Sequence, residues 1–474
     1  MPQRRTVLTG AVATLASWGL APKALAQEEQ GRDPALAGDW TGVLQAGSVR
    51  LRLRLSIGAD GTATLYSLDQ GAAPIPASSV VLAGDNIDLA FAVINARYRG
   101  RLENGALAGT FTQGGPLSLR FERGDAGLAA APAALAPLTA ERLDALLAAS
   151  RAPGLAAAAF GPGGCSLALA AGLRQHGTSV PIGEGDRWHL GSLTKSMTGT
   201  LIAKLIEDGL LAWETPLSVM LEGVPMRDEY RAVTLRHLLS HRSGLPGNLP
   251  IPRLLRFPRE EAHPRQSREA YVVEALAMTP HGPAEASFEY SNNGYVVAGA
   301  VIERVTGQPW EAVIQERLFS PLGMTQAGFG APGAAGVLDQ PVGHSQGLLG
   351  ATAHPPGAPI TDNPAVLGPA GRVHAPFSDL LRFAQAHRDQ IGFLRPESWT
   401  ALHTPPFGGD YAMGLVVRPD GALWHNGSNT LWYAEMLIDP VRGVVAAAAA
   451  NTGAIATAAP SVGEALMAAA AAVV

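Results

Sequence analysis

Cysteine is nearly missing from this chain. Cys165 stands alone among 474 residues, so no intramolecular disulfide can form. Its place inside an apolar, alanine-rich stretch predicts a small buried hydrophobe rather than a nucleophile. Charge is also scarce. Asp, Glu, Lys and Arg make up 16% of the residues and leave a net charge of −5, with no basic block or stripe, which argues against a nucleic-acid partner. Apolar residues reach 47%, too many for a disordered chain, and the length allows roughly two or three domains with sizeable cores. Metal-ligand spacing is thin. His237 and His241 are four apart, with no glutamate between them and no third ligand at a familiar distance. His344, His354 and His374 are scattered, so all five read as structural or surface histidines.

Long hydrophobic runs are missing as well. The best one near the start, residues 7–20, is broken by Thr9, Gly10, Thr14 and Ser17, and is too short and soft to span a bilayer. A basic segment precedes it and Ala24-Leu25-Ala26 follows as a small-residue cleavage site, so residues 1–26 read as a signal peptide. Arg4-Arg5-Thr6-Val7-Leu8, with Lys23 downstream, resembles the twin-arginine type. The expected destination is the periplasm or outside of a bacterium, with no integral membrane segment after signal removal. The alanine-rich tail carries Ser461 and Glu464 and reads as a packed terminal helix.

Residues 38–124 have the texture of strands. Val49-Arg50-Leu51-Arg52-Leu53-Arg54-Leu55-Ser56-Ile57 alternates strictly, giving one face for a core and one for water. Comparable runs lie at residues 63–68, 87–94, 98–102, 107–111 and 117–121, with weaker ones near Val43 and at 80–82. Asp60-Gly61, Asp85-Asn86 and Asn104-Gly105 separate them as tight turns. About eight short strands predict a small all-β barrel or sandwich. It holds no grouped nucleophile, acid and base, and reads as an accessory domain. Residues 125–138, almost all Ala, Pro, Leu and Gly, read as a linker.

The remainder, residues 139–474, mixes both periodicities. Thr139 caps an amphipathic helix, and strand-like runs follow at 155–160 and 165–173. Helices are expected near 234–240, 267–278 and 293–306. Pro and Gly crowd residues 328–371, which predicts long surface loops. Strands return at 411–417, 422–425, 432–438 and 443–450. This order predicts one α/β domain whose sheet joins the two ends of the stretch.

Three groups within it carry chemistry. Gly191-Ser192-Leu193-Thr194-Lys195 leads into Met197, Leu201, Ile202, Leu205 and Ile206 at helical spacing, stopped by Gly209. Ser192 then sits at or near a helix start with Lys195 one turn on, on the same face. A serine hydroxyl is a poor nucleophile until its proton is taken, and a neutral amine at that distance can take it. The free N–H groups of a helix start suit a developing oxyanion. Tyr290-Ser291-Asn292 stands at the mouth of a later helix, where a phenol and an amide could share protons with Lys195 or merely cap the helix. His425-Asn426-Gly427-Ser428 ends a strand. Gly427 permits close backbone approach, the Ser428 N–H could face an oxyanion, and His425 can donate or move a proton, although Asn-Gly also marks an ordinary turn.

In this order, the three groups resemble the penicillin-recognising serine hydrolases, in particular the class C β-lactamase-like branch with its D-alanyl-D-alanine carboxypeptidases, D-aminopeptidases and short-chain esterases. Leu238-Leu239-Ser240-His241-Arg242-Ser243-Gly244-Leu245 resembles a loop of that branch, with Arg242 where a small polar residue is usual, and gives His241 a structural reading. Pro369-Ala370-Gly371, followed by Ser378-Asp379-Leu380 and Phe383, resembles the segment before its last strands. The resemblance covers residue 138 to the C-terminus and implies an antiparallel sheet flanked by helices, with a helical subdomain. It implies Ser192 as the acylated nucleophile, Lys195 as its base and Tyr290 as proton shuttle to the leaving group and the deacylating water. Asn292 would bind the acyl amide, and the N–H groups of Ser192 and Ser428 would form the oxyanion hole beside Gly427. His425 takes the place of the lysine in Lys-Thr-Gly, which weakens recognition of substrate carboxylates. Tyr-Ser-Asn in place of Ser-Asp-Asn argues against a class A mechanism.

The expected protein is an exported serine hydrolase for a small-molecule or short-peptide ester or amide, working without cofactor or metal. Short-chain esters and D-amino-acid peptides are favoured over β-lactams. Two rivals stand beside it. One is a non-catalytic peptidoglycan- or ligand-binding protein on the same scaffold, against which the presence of Ser192, Lys195 and Tyr290 counts. The other is acyl transfer to an alcohol or amine.

Overall fold

The alternation at residues 49–57 becomes a strand whose leucines face a core. Leu53, Leu55 and Ile57 are buried, and each contributes about 1.5–3 kcal/mol by leaving water. In the computed structural model, which describes residues 36–46, 49–68, 74–94, 96–113, 115–125, 136–262, 264–347, 350–358 and 360–474, it is the second of nine strands in one antiparallel sheet. They are Gly38–Ala46 (β1), Val49–Ile57 (β2), Ala63–Ser67 (β3), Pro74–Pro76 (β4), Ser79–Ala83 (β5), Asn86–Phe91 (β6), Ala96–Glu103 (β7), Ala106–Gln113 (β8) and Gly115–Arg123 (β9). Their order is β4-β3-β2-β1-β9-β8-β7-β6-β5, so chain neighbours pair as meanders and β1 meets β9 at the centre. The sheet curls as a half-barrel over Trp40, Leu55, Leu89, Tyr98 and Phe121. The strand that sequence reading omits is β4, whose two prolines place it on an edge. The signal-peptide reading of residues 1–26, and residues 126–135 of the linker reading, lie outside the described residues.

Beyond residue 136 a second sheet forms, antiparallel throughout. Its order is Ser166–Gly172, Gly154–Phe160, Val444–Ala450, Tyr433–Asp439, Leu423–Ser428 and Val416–Val417. Strands near both ends of this stretch thus lie side by side. The alanine-rich Val444–Ala450 is buried along its whole length because helices cover both faces. Ala446, Ala448 and Ala450 pack with Leu143, Leu146, Val462 and Leu466 of the helices Ala140–Ser150 and Ile455–Ala471. Ala447 and Ala449 face the larger core of Met197, Leu201, Leu380 and Phe383, from the helices Thr194–Glu207 and Phe377–Asp389. No helix among the described residues is long and apolar enough to cross a membrane.

Three local expectations change. Cys165 is exposed, because Gly161-Pro162-Gly163-Gly164 breaks the apolar run and sets the thiol on a hairpin turn instead of in the core. Residues 411–417 do not run as one strand. Only Val416–Val417 pairs with the sheet, and the chain folds back so that Tyr411 bridges to Val416. Gly414, at φ +95°, permits this. A Cβ there would lie 2.7 Å from the backbone of Lys195, so the loop docks directly on the helix bearing that lysine. The Pro/Gly-rich 328–371 stretch is not all surface loop, since it buries Val366, Leu367 and Asp362 and contributes short strands and turns.

Candidate active site

Ser192 lies in a short 3-10 turn, Gly191–Leu193, that runs directly into the helix Thr194–Glu207. Lys195 follows in the first turn of that helix, fully buried. Its Nζ is 3.0 Å from Ser192 Oγ, 2.7 Å from Asn292 Oδ1 and 2.7 Å from the carbonyl of Ala370. The two carbonyl oxygens can only accept, whereas the serine hydroxyl can also donate. A neutral amine, with two N–H groups and one lone pair, satisfies all three contacts with the lone pair on Ser192. Burial holds the lysine well below its ordinary pKa, in the same direction. Among the described residues no carboxylate forms an ion pair with it. The rings of Tyr290 and Tyr295 stand 4.9 and 5.5 Å from Nζ.

Tyr290 is 37% exposed. Crowding nonetheless raises its hydroxyl to about 12, a rise lessened by its polar neighbour Ser192. The phenol is therefore neutral, and it stands beside the Ser192–Lys195 pair. Ser291 caps the helix Asn292–Thr306, accepting from Gly294 N–H at 3.1 Å. Asn292, one residue on, turns its oxygen to Lys195 and donates from Nδ2 to Asn248 at 2.9 Å.

The loop after the helix Leu235–Leu239 holds this group in place. His241, at φ +60°, accepts the Ser291 N–H on Nδ1 at 3.0 Å and is packed among Tyr290, Tyr295, Tyr411 and Phe288. Its ring thereby carries its proton on Nε2, and burial keeps it neutral. His237, the other half of the spaced histidine pair, closes a capping box with Thr234 and turns Nε2 to Glu285.

His425 comes from the strand Leu423–Ser428 and is buried. Nε2 meets the hydroxyl of Tyr411 at 2.9 Å, while Nδ1 meets the carbonyl of Asn426. Burial, with the nearby Lys195, lowers it to about 4, so it is neutral at physiological pH. Past it the strand runs into the nucleophile turn. A Cβ on Gly427 would lie 2.0 Å from the Leu190 carbonyl and 2.6 Å from Ser192 N, and one on Gly191 would lie 2.3 Å from Ser428 N. Only glycines admit this approach, which brings the backbone amides of Ser192 and Ser428 to the same spot.

The seven residues singled out from sequence thus converge. Tyr411, Tyr295, Asn248 and the Ala370 carbonyl join them as partners that no local sequence pattern marks. In the sequence Pro369-Ala370-Gly371 carries only its resemblance, and Tyr411 sits in an apolar run with the pattern of a strand.

A model of the Beta-lactamase family matches residues 139–471. "Penicillin-binding protein 4" of Amycolatopsis lactamdurans is 32% identical over 252 residues, 52% of this chain and 63% of that protein. The lovastatin esterase of Penicillium rubens is 30% identical over 168 residues, 32% of this chain and 42% of the esterase. The matches take in less than two thirds of the length of these relatives. Among solved structures, a D-stereospecific amidohydrolase from Streptomyces sp. superposes with a TM-score of 0.57 and 25% identity, over 70% of this chain and 98% of that one. The match spans every residue of the site just described, and the chain belongs to the beta-lactamase family.

Proposed function

We propose that this chain is an exported serine hydrolase that cleaves esters or amides through an acyl-enzyme on Ser192. The observation that carries the reading is the buried, unpaired amine of Lys195 at 3.0 Å from the Ser192 hydroxyl. Lys195 takes the Ser192 proton as Oγ bonds to the substrate carbonyl carbon, and negative charge collects on the carbonyl oxygen between the N–H groups of Ser192 and Ser428. Collapse breaks the bond to the leaving alcohol or amine, which takes its proton from Tyr290, replenished by Lys195. Water then attacks the acyl carbon, giving a proton back along Tyr290 and Lys195, and the acid leaves as Ser192 regains its proton. Asn292 has one N–H left for the amide of an acyl chain.

Substrate class follows from charge. With His425 neutral where related enzymes use lysine, and with relatives named as an esterase and a D-stereospecific amidohydrolase, short-chain esters and D-amino-acid amides or peptides are favoured over carboxylate-bearing β-lactams. Residues 1–26 support export, and the half-barrel at residues 38–124 serves as an accessory domain.

The test is chemical. The folded protein is incubated with p-nitrophenyl butyrate, quenched in acid and digested. The expected result is nitrophenol release and a butyryl group on the peptide holding Ser192. Label on another residue would place the chemistry elsewhere and remove Ser192 as nucleophile, and no label together with no turnover would remove the reading in favour of a binding protein. Adding a primary alcohol separates the remaining rival, since an acyltransferase yields butyryl ester in place of acid.

The glycine contacts give a further expectation. Gly427→Ala must push Ser192 N and the Leu190 carbonyl away, so kcat should fall by about 10²-fold, the loss typical of one oxyanion donor. A folded Gly427→Ala protein with unchanged kcat would refute that placement of the oxyanion.

A further inference from the structure

Behind the two amides lies a carboxylate from the Pro/Gly-rich stretch. Asp362 is 4% exposed. It accepts from Arg372 Nε at 3.0 Å, His189 Nε2 at 3.1 Å, Asn429 Nδ2 at 3.0 Å and the Asn363 N–H at 2.7 Å. Burial works against its ionisation, yet His189, Arg372 and Asn429 together hold the carboxyl well below the ordinary range.

Each partner stands beside a segment of the active site. His189 Nδ1 accepts the Gly191 N–H at 3.2 Å, next to Ser192. Asn429 follows Ser428 directly, and its own oxygen accepts the N–H groups of Leu431 and Trp432 at 3.1 and 3.2 Å. Arg372 lies two residues from Ala370, whose carbonyl receives Lys195. Because Nδ1 of His189 accepts from the backbone, its proton sits on Nε2 facing the carboxylate. The His189–Asp362 pair therefore aims no lone pair at Ser192 and is not a proton relay.

The strand end is also strained. Thr430 has φ +79°, rare for a β-branched residue, and is held by its N–H on Ser428 Oγ at 2.9 Å. Such a conformation persists only where the surroundings over-determine it.

We propose that Asp362 is a positioning residue that fixes the spacing of the Ser192 and Ser428 amides by gripping His189 on one side and Asn429 on the other. This rests on the acyl-enzyme reading above. The two N–H groups must each lie about 2.7–3.1 Å from an oxygen that becomes anionic only in the transition state. A network that sets their separation acts on kcat and leaves ground-state binding alone.

The variants are His189→Asn and Asn429→Ala, on different elements, each sparing the carboxylate. Removing Asp362 itself would leave Arg372 buried without its anion and endanger the fold. With p-nitrophenyl butyrate, kcat should fall about 10- to 100-fold while KM stays within about twofold. Affinity for phenylboronic acid, which forms a tetrahedral anion on the serine, should fall by the same factor as kcat. Thermal midpoints close to wild type would show that the fold is kept. Folded variants with unchanged kcat and boronate affinity would overturn the proposal, as would a KM that rises in step with the loss. Wild-type protein that neither hydrolyses the ester nor binds the boronate would instead remove the acyl-enzyme reading, and this one with it.

Discussion

Ser192→Ala and Lys195→Ala are each expected to lower kcat/KM for p-nitrophenyl butyrate by about 10³-fold or more, and the double variant by no more than the worse single. The two side chains form one unit. Among the described residues no other side-chain base is hydrogen-bonded to the serine hydroxyl, the nearby phenol of Tyr290 is held neutral near 12, and the amine has no role in bond making once the hydroxyl is gone. Lys195→Arg should not rescue, because a guanidinium stays protonated at any working pH and offers no lone pair. The pH profile adds a sign. Burial holds Lys195 below its ordinary value, so the amine is already neutral where an exposed lysine is charged, and kcat/KM rises with pH through that lowered value before levelling. Independent losses that multiply in the double variant would show that the two groups do not act together.

Legibility followed the range of the interactions. Strict alternation at residues 49–57 foretold a strand because each leucine needs only the adjacent core face. The alanine runs 154–160 and 444–450 showed as strands because both of their faces are covered, leaving no polar position in the pattern. Ser192 and Lys195 were readable since one helical turn joins them. Asp362 was not. Its partners His189 and Asn429 are 173 and 67 residues away, and its own neighbourhood carries the Pro/Gly composition of a solvated loop. Tyr411 failed for a related reason. The apolar run around it suits a strand, and only the contact of Gly414 with the Lys195 backbone turns it back to meet His425. Cys165 misleads in the other direction, because the apolar composition around it points to a core while the Gly-Pro-Gly-Gly turn immediately before it sets the thiol in solvent.

Acid should unfold this protein through histidines that have no catalytic part. The thermal midpoint is expected to be level above about pH 7 and to fall by at least about 10 °C between pH 6.5 and 4.5. His344 donates from Nδ1 to the Asn451 carbonyl at 2.8 Å and accepts the His176 N–H on Nε2 at 3.0 Å, so a second proton would face an existing N–H. His387 and His403 meet nitrogen to nitrogen at 2.9 Å, a contact that admits one proton and not two, while Nε2 of His387 rests on Thr200 at 3.0 Å. His374 is buried with Nδ1 on the Gly330 carbonyl. Burial lowers His344, His374 and His403 to about 4 and His387 well below 6.5. With folded values below the unfolded 6.5, the unfolded chain binds protons first as the solution is acidified. The stability is fully present above 6.5 and is lost as pH falls toward 4, at about 1.4 kcal/mol per histidine for each pH unit inside that window. Glu303 and Glu435, raised by burial, act in the opposite sense, but they are two carboxyls against these four imidazoles, and the lowered His241 and His425 of the active site add to the four. Calorimetric melts at pH 7.5, 6 and 5 would measure the slope. His403→Gln, which keeps an N–H donor toward Nδ1 of His387 and cannot be protonated, should make it shallower. A midpoint that stays level down to pH 4.5 would mean that these imidazoles accept protons in the folded state, and that their contacts yield without unfolding the chain.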